Sequence, residues 1–261
     1  MTLAHRKVAL VTGAGSGIGR AAALHLAAAG FSVGLLGRTE SELQAVAEEI
    51  KTASGSSKVL LADVSDEAAM RHAVAALVED FGRLDVVVAN AGVNGVWAPI
   101  DELKPSEWDD TIRINLRGTY LTVHASVPHL KAAGGGSIVI VSSINGTRTF
   151  TSPGATAYSV TKAGQLAMAQ QLALELGRHR IRVNAVCPGE IETAIDENTD
   201  IRGRQKTEVP VRFPAGDIPV TGGVAGSSDD VAALIGFLAS DASRHITGTP
   251  VWIDGGQGLL R

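Results

Sequence analysis

Short runs rich in Val, Ile and Leu alternate along this chain with longer stretches whose apolar residues recur at helical spacing. An apolar run of five or six residues marks a strand covered on both faces, and strands alternating with helices build a parallel sheet. The runs lie at about 7–12, 32–37, 57–62, 84–90, 136–142, 181–187 and 249–253, and long helices are predicted over 105–131 and 156–178. The pattern predicts an α/β fold, a doubly wound sheet of about seven mostly parallel strands with helices on both faces. Ligands should then lie beyond the carboxyl ends of the strands. No linker, repeat or low-complexity tract divides the 261 residues, so one domain over 1–261 is expected.

Polar and small residues collect where the strands end. The first strand runs into Thr12-Gly13-Ala14-Gly15-Ser16-Gly17-Ile18-Gly19 and then into an Ala-rich helical stretch. Counted from Gly13, the dinucleotide pattern G-x-G-x-x-G fails, because its last position falls on Ile18. What fits is T-G-x-x-x-G-x-G, with Gly13, Gly17 and Gly19 as fixed points. Glycines there allow a sharp turn and let a phosphate approach main-chain N–H groups at the positive end of a helix. The second strand ends at Gly37-Arg38-Thr39 and the third at Ala62-Asp63-Val64. Asp63 is placed either to accept an adenine amino group or to cap the helix before Ala68. Asn90-Ala91-Gly92 after the fourth strand joins close backbone approach to an amide able to tie neighbouring strands.

Composition narrows the function classes. Hydrophobic residues make up 45% and charged residues 19%, as in soluble globular proteins. With a net charge of −4 and no basic stripe, nucleic acid is not an expected partner. No apolar stretch approaches the ~20 residues of a membrane span, so no membrane association is expected. The first strand begins about seven residues into the sequence, from which no signal peptide and a cytoplasmic location are expected. The single cysteine, Cys187, excludes an internal disulfide and, at the end of an apolar run, reads as a buried structural thiol. The seven histidines form no H-E-x-x-H and no Cys/His cluster, so no metal is predicted.

Tyr158 and Lys162 stand four residues apart and therefore share a helix face. Alone, such a pair is most often a surface contact. The Gly turn, Asn90-Ala91-Gly92, Asn115, Ser143, Tyr158/Lys162 and Pro188-Gly189, in that order, make the chain similar to the short-chain dehydrogenase/reductase family over essentially its whole length. The resemblance implies a single-domain Rossmann-type fold and an NAD(P)-dependent oxidoreductase that moves hydride between a nicotinamide and a ketone or secondary alcohol. It implies Tyr158 as general acid/base, Lys162 as the cation that lowers the tyrosine pKa and holds the ribose, and Ser143 as the group polarising the carbonyl. Ser143 is preferred to Ser142 because it stands three residues before Gly146. Asn115 is implied to interrupt the long helix and help hold a relay water. Cofactor contacts are implied for Gly13, Ser16, Gly17, Ile18, Gly19, Arg38, Thr39, Asp63, Val64, Asn90, Ala91, Gly92, Tyr158, Lys162, Pro188, Gly189, Ile191 and Thr193.

The spacing from Ser143 to Tyr158 is about two residues longer than the family's, with 150–154 as the expected insertion. Gly37 stands where an NAD enzyme places a carboxylate, and Arg38 can meet a 2′-phosphate, so NADP(H) is favoured over NAD(H). A substrate lid is expected over about 194–225, around a small-molecule substrate. Gly164, Ala167 and Gln171 are expected to face outward on their helix and suit a homo-oligomer, tetramer or dimer. An epimerase or dehydratase of the same fold, or a nucleotide-binding regulator without turnover, are the alternative readings.

Overall fold

The computed structural model describes residues 6–193, 199–209 and 217–260. Its main sheet contains β1 (Val8–Thr12), β2 (Ser32–Gly37), β3 (Ser56–Leu61), β4 (Val86–Ala89), β6 (Gly136–Val141), β7 (Ile181–Pro188) and β9 (Pro250–Ile253), while β5 (Gly95–Trp97) and β8 (Thr199–Ile201) form a separate pair. The seven strands lie in the order β3-β2-β1-β4-β6-β7-β9, and every pairing is parallel. Each strand expected from the apolar runs is present to within two residues.

The helices cover both faces. α1 (Gly17–Ala28), α2 (Glu40–Thr52) and α8 (Ser228–Ala239) pack on one side through Ala22, Leu26, Leu43, Ile50, Val231 and Ile235. α3 (Glu67–Phe81), α5 (Gly118–Ala132) and α6 (Thr156–Gly177) pack on the other through Met70, Leu77, Leu121, Leu130 and Ala169. Burial on both faces is why the strands read as continuous apolar runs. From β1 the chain winds outward to β3 and then returns to β4 on the other side. This reversal opens a crevice at the carboxyl ends of β1 and β4, where ligands enter such sheets.

Three expectations are refined. The long helix expected over 105–131 is interrupted around Asn115, as the resemblance implied: it divides into α4 (Pro105–Thr111), a π-helical segment Ile112–Arg117, and α5. A π turn holds one more residue than an α turn, and the surplus carries Asn115 inward to complete burial. Residues 194–198 and 210–216 of the expected lid, Phe213 among them, lie outside the described residues. The rest of that stretch includes β8, which pairs with β5 in the register Gly95↔Thr199 to Trp97↔Ile201, and the single turn α7 (Arg204–Thr207). Ion pairs Arg202–Glu107 and Lys206–Glu102 tie it to the main body. Gly164 does not simply face outward: a Cβ there would lie 3.1 Å from Leu116 Cδ1, whereas Ala167 and Gln171 are exposed.

Candidate active site

The glycine turn is built as its spacing requires. Gly13 and Gly17 have φ of +67° and +50°, in the left-handed region that side chains disfavour. Gly19 is required by space, since a Cβ there would sit 2.0 Å from the Gly13 carbonyl oxygen. Ser16 precedes α1 but makes no side-chain cap, and the helix has no acidic residue in its first turn. The first N–H groups of α1 are therefore left for an anion. Thr193 approaches from beyond β7, with its Cγ2 3.4 Å from where a Gly17 Cβ would be. These features make a cradle that fits a dinucleotide pyrophosphate and would be filled by any larger residue.

Asn90 ties the two central strands, donating from Nδ2 to the Thr12 carbonyl at 3.0 Å. Thr12, which opens the glycine motif but has no role assigned from the sequence, supplies the reciprocal clamp: its hydroxyl accepts from the Asn90 and Ala91 amides at 3.0 and 3.1 Å. Together they close the switch-point crevice from beneath.

At the outer edge, Arg38 and Thr39 are exposed beyond β2. Of the two roles open for Asp63, the helix cap is excluded. Asp66 caps α3, accepting from the Ala69 amide at 3.0 Å. Asp63 instead accepts from the Ser65 amide at 2.8 Å and the Ser65 hydroxyl at 2.7 Å. Arg113 from the π segment also donates to that hydroxyl, and Arg117 donates to the Ser65 carbonyl. Partial burial tends to raise the Asp63 pKa, but the Ser65 hydrogen bonds, with the charges of Arg38 and Arg113, outweigh it and hold the carboxyl below its usual value. Val64 is fixed beside it, with its Cγ2 2.7 Å from the position a Gly118 Cβ would take.

The candidate catalytic groups converge at the carboxyl end of β6. Tyr158 and Lys162 lie on the buried face of α6, only 8% and 5% exposed. Lys162 Nζ donates to the Val141 carbonyl at 3.0 Å and stands 5.4 Å from the centre of the Tyr158 ring. Burial pushes the Lys162 pKa down to about 8. Ser142 and Ser143 have different partners. The Ser142 hydroxyl donates to the Lys162 carbonyl at 2.8 Å, anchoring α6 to the sheet, whereas Ser143 Oγ accepts from the Asn145 amide at 3.1 Å. An occupied lone pair leaves the Ser143 proton free to reach a substrate oxygen. Cys187 is fully buried, and burial raises its thiol to about 11, as suits a structural residue.

Asn115 sits behind these groups. Its side chain bonds both polar groups of the Val93 backbone at 2.8 Å, fixing the loop between β4 and β5. Its own carbonyl accepts from Gln165 Nε2 at 3.0 Å and Thr119 Oγ1 at 2.7 Å, so both lone pairs are engaged within the protein. The residue acts here as a brace between the π segment and the loop.

A cleft of about 1150 Å³ is lined by Ile18, Asn90, Gly92, Ser143, Tyr158, Lys162, Pro188, Gly189, Ile191 and Thr193. Gly13, Ser16, Gly17, Gly19, Arg38, Thr39, Asp63, Val64 and Ala91 are not among its walls; they follow the carboxyl ends of β1 to β4 beside it. The outer wall is the 144–155 loop with Trp97, Arg204, Asp217 and Gln257. This loop, which contains the expected insertion at 150–154, is tied to the body where its Gly154 carbonyl accepts from the Ala98 amide at 3.2 Å. Among the described residues no group of three His, Cys, Asp or Glu side chains could hold a metal ion, and no helix is long and apolar enough to cross a membrane.

Comparison with known proteins agrees with this geometry. A family model described as short chain dehydrogenase matches residues 7–202. The chain is 36% identical over 250 residues to the 3-oxoacyl-[acyl-carrier-protein] reductase FabG of Thermotoga maritima, covering 96% of this chain and 97% of that protein. The crystal structure of a 3-ketoacyl-ACP reductase from Sinorhizobium meliloti superposes with a TM-score of 0.93 at 65% identity, over 97% of this chain and 100% of that one. A 3-ketoacyl-(acyl-carrier-protein) reductase from Brucella melitensis, crystallised with NADH, gives a TM-score of 0.85 at 32% identity over 97% and 98% of the two chains. The protein thus belongs to the short-chain dehydrogenase/reductase family and is an NAD(P)-dependent oxidoreductase acting on CH–OH and keto groups.

Proposed function

We propose that Tyr158 is the general acid/base of this cleft, acting on small, polar ketones and secondary alcohols with Lys162 and Ser143. The observation that carries the reading is the convergence of Tyr158, buried Lys162 and an oriented Ser143 on one cavity at the end of β6. When bound, the nicotinamide supplies or accepts the hydride. Tyr158 gives its hydroxyl proton to the carbonyl oxygen in reduction and takes one from the alcohol in oxidation. An unperturbed phenol with a pKa near ~10 is a poor base at neutral pH, and the Lys162 cation beside the ring favours the phenolate. Ser143 donates to the same oxygen as charge develops on it. Asn115 keeps the Val93 loop in place.

The glycine cradle would hold the pyrophosphate, and Asp63 with Val64 the adenine. NADP(H) is preferred to NAD(H), because Gly37 offers no carboxylate to repel a 2′-phosphate and Arg38 is exposed beside it. Glu42 moderates that preference, since its Oε2 lies only 2.6 Å from where a Gly15 Cβ would stand. One domain spans 1–261, with 194–225 as its substrate lid. The protein is a cytoplasmic homo-oligomer, a tetramer or dimer; the exposed Leu174 of α6 and the stacked Tyr120 and His124 of α5 support contact through these helices. The test is a panel of small ketones and alcohols run with both cofactors, followed by absorbance of the reduced nicotinamide. Turnover of polar ketones with NADPH as the better donor is expected. Cofactor binding without turnover of any compound would overturn the reading.

A further inference from the structure

The loop that follows Ser143 is held more tightly than a surface loop needs to be. The Thr147 hydroxyl donates to the Ser143 carbonyl, at 2.6 Å, and the Arg148 amide to the Ile144 carbonyl at 2.7 Å. Gly146, at φ +75°, packs so closely on α6 that a Cβ would lie 2.1 Å from the Ser159 carbonyl oxygen. Arg148 is stacked on Trp252, with its guanidinium carbon 3.7 Å from the ring centre. A scaffold this rigid presents its side chains in fixed directions.

One of those side chains is polar, half-buried, and part of the cleft wall. Asn145 Oδ1 accepts two hydrogen bonds, from Thr149 Oγ1 at 3.0 Å and Ser152 Oγ at 2.9 Å. Both acceptor sites of the amide oxygen are thereby filled. No hydrogen bond among the described residues engages Nδ2, and Asn145 lines the cleft, so its N–H donors are available to a ligand there. The main-chain nitrogen of the same residue is the donor 3.1 Å from Ser143 Oγ. Four covalent bonds separate that nitrogen from Nδ2, a reach of about 4 Å. Nδ2 therefore lies no more than about 7 Å from Ser143 Oγ, a span that one small bifunctional substrate can bridge.

Resting on the assignment of Ser143 and Tyr158 above, we infer that Asn145 is a specificity-determining residue, whose Nδ2 binds a second oxygen one or two carbons from the reacting carbonyl. The substrates it selects are hydroxyketones and keto esters rather than monofunctional ketones. A site built to donate a hydrogen bond discriminates against compounds that leave the donor buried and unpaired.

Asn145→Asp separates this role from support of the loop. Aspartate keeps an oxygen acceptor for Thr149 and Ser152 and is isosteric, but it replaces the donor with a carboxylate oxygen that repels a substrate oxygen. The measurement is kcat/KM for ethyl 3-oxobutanoate and for hexan-2-one, compounds of similar length, in wild type and variant, together with the melting temperature of each protein. Wild type should favour the keto ester. In the variant kcat/KM for the keto ester should fall roughly 10- to 100-fold, mainly through KM, with hexan-2-one changed less than about threefold and the melting temperature unchanged. Equal losses on both compounds, or no loss on either, overturn the assignment of Asn145. So does a wild type that prefers hexan-2-one, although that result leaves the oxidoreductase reading standing. Wild type that binds cofactor but reduces neither compound, nor any other in the panel, contradicts both.

Discussion

Lys162→Met in the cofactor-free protein isolates the cost of burying a cation beside Tyr158. Methionine keeps much of the side-chain volume and removes the charge. Burial takes the lysine from its ordinary 10.5 to about 8, which at 1.36 kcal/mol per pH unit is a penalty of roughly 3 kcal/mol when the group is charged in both states. The folded protein releases the proton above about pH 8, whereas the unfolded chain keeps it until about 10.5. Between those values the unfolded chain binds more protons, so this lysine makes wild-type stability rise with pH. The variant has no such term. Denaturant unfolding at a series of pH values should therefore show wild type gaining about 2 kcal/mol on the variant between about pH 7 and pH 9.5. The lost Val141 hydrogen bond and altered packing shift the two curves by a constant and leave the slope untouched. Curves parallel to within about 0.5 kcal/mol would refute the claim that the ammonium is desolvated.

Two further outcomes concern the cofactor. Arg38→Ala should lower NADPH affinity by about 10-fold or more with little change for NADH, as loss of a charge-assisted contact implies; equal losses for both would remove the phosphate contact from Arg38, and fluorescence titration of the reduced cofactors distinguishes the cases. Ser65→Ala removes the hydroxyl shared by Asp63 and Arg113 and should weaken both cofactors about 3- to 10-fold with kcat preserved, whereas a fall in kcat at unchanged affinity would detach this cluster from the adenosine end.

How much of this was legible in the residues depended on how local the causes were. The seven main strands were visible because burial on both faces leaves only apolar residues, and Gly13, Gly17 and Gly19 because their backbone demands follow a fixed spacing. β5 and β8 were not, since three-residue strands show no periodicity and their pairing joins Gly95 to Thr199, far apart in sequence. The break at 112–117 left one trace, an asparagine in an otherwise regular helix, and its cause is tertiary: the Val93 backbone needs the Asn115 amide. Asp63 and Asp66 both suit a cap, and only the position of Ala69 three residues after Asp66 decides between them. Ser65 escaped notice, and the clamping roles of Thr12 and Ser142 with it, because a hydroxyl that joins groups distant in the chain has no sequence pattern. Spacing to Gly146 favoured Ser143 over Ser142 in the chain, and their different partners give the physical reason.

The central claim is that the Tyr158 hydroxyl carries the proton. Tyr158→Phe removes that oxygen and leaves the ring, its packing near Trp97 at 6.1 Å between centroids, and Lys162 in place. Single-turnover reduction of a ketone accepted by wild type should slow by about 10²- to 10⁴-fold, while the dissociation constant of the reduced cofactor changes less than about threefold. A variant that keeps more than about a tenth of the wild-type rate would contradict the assignment.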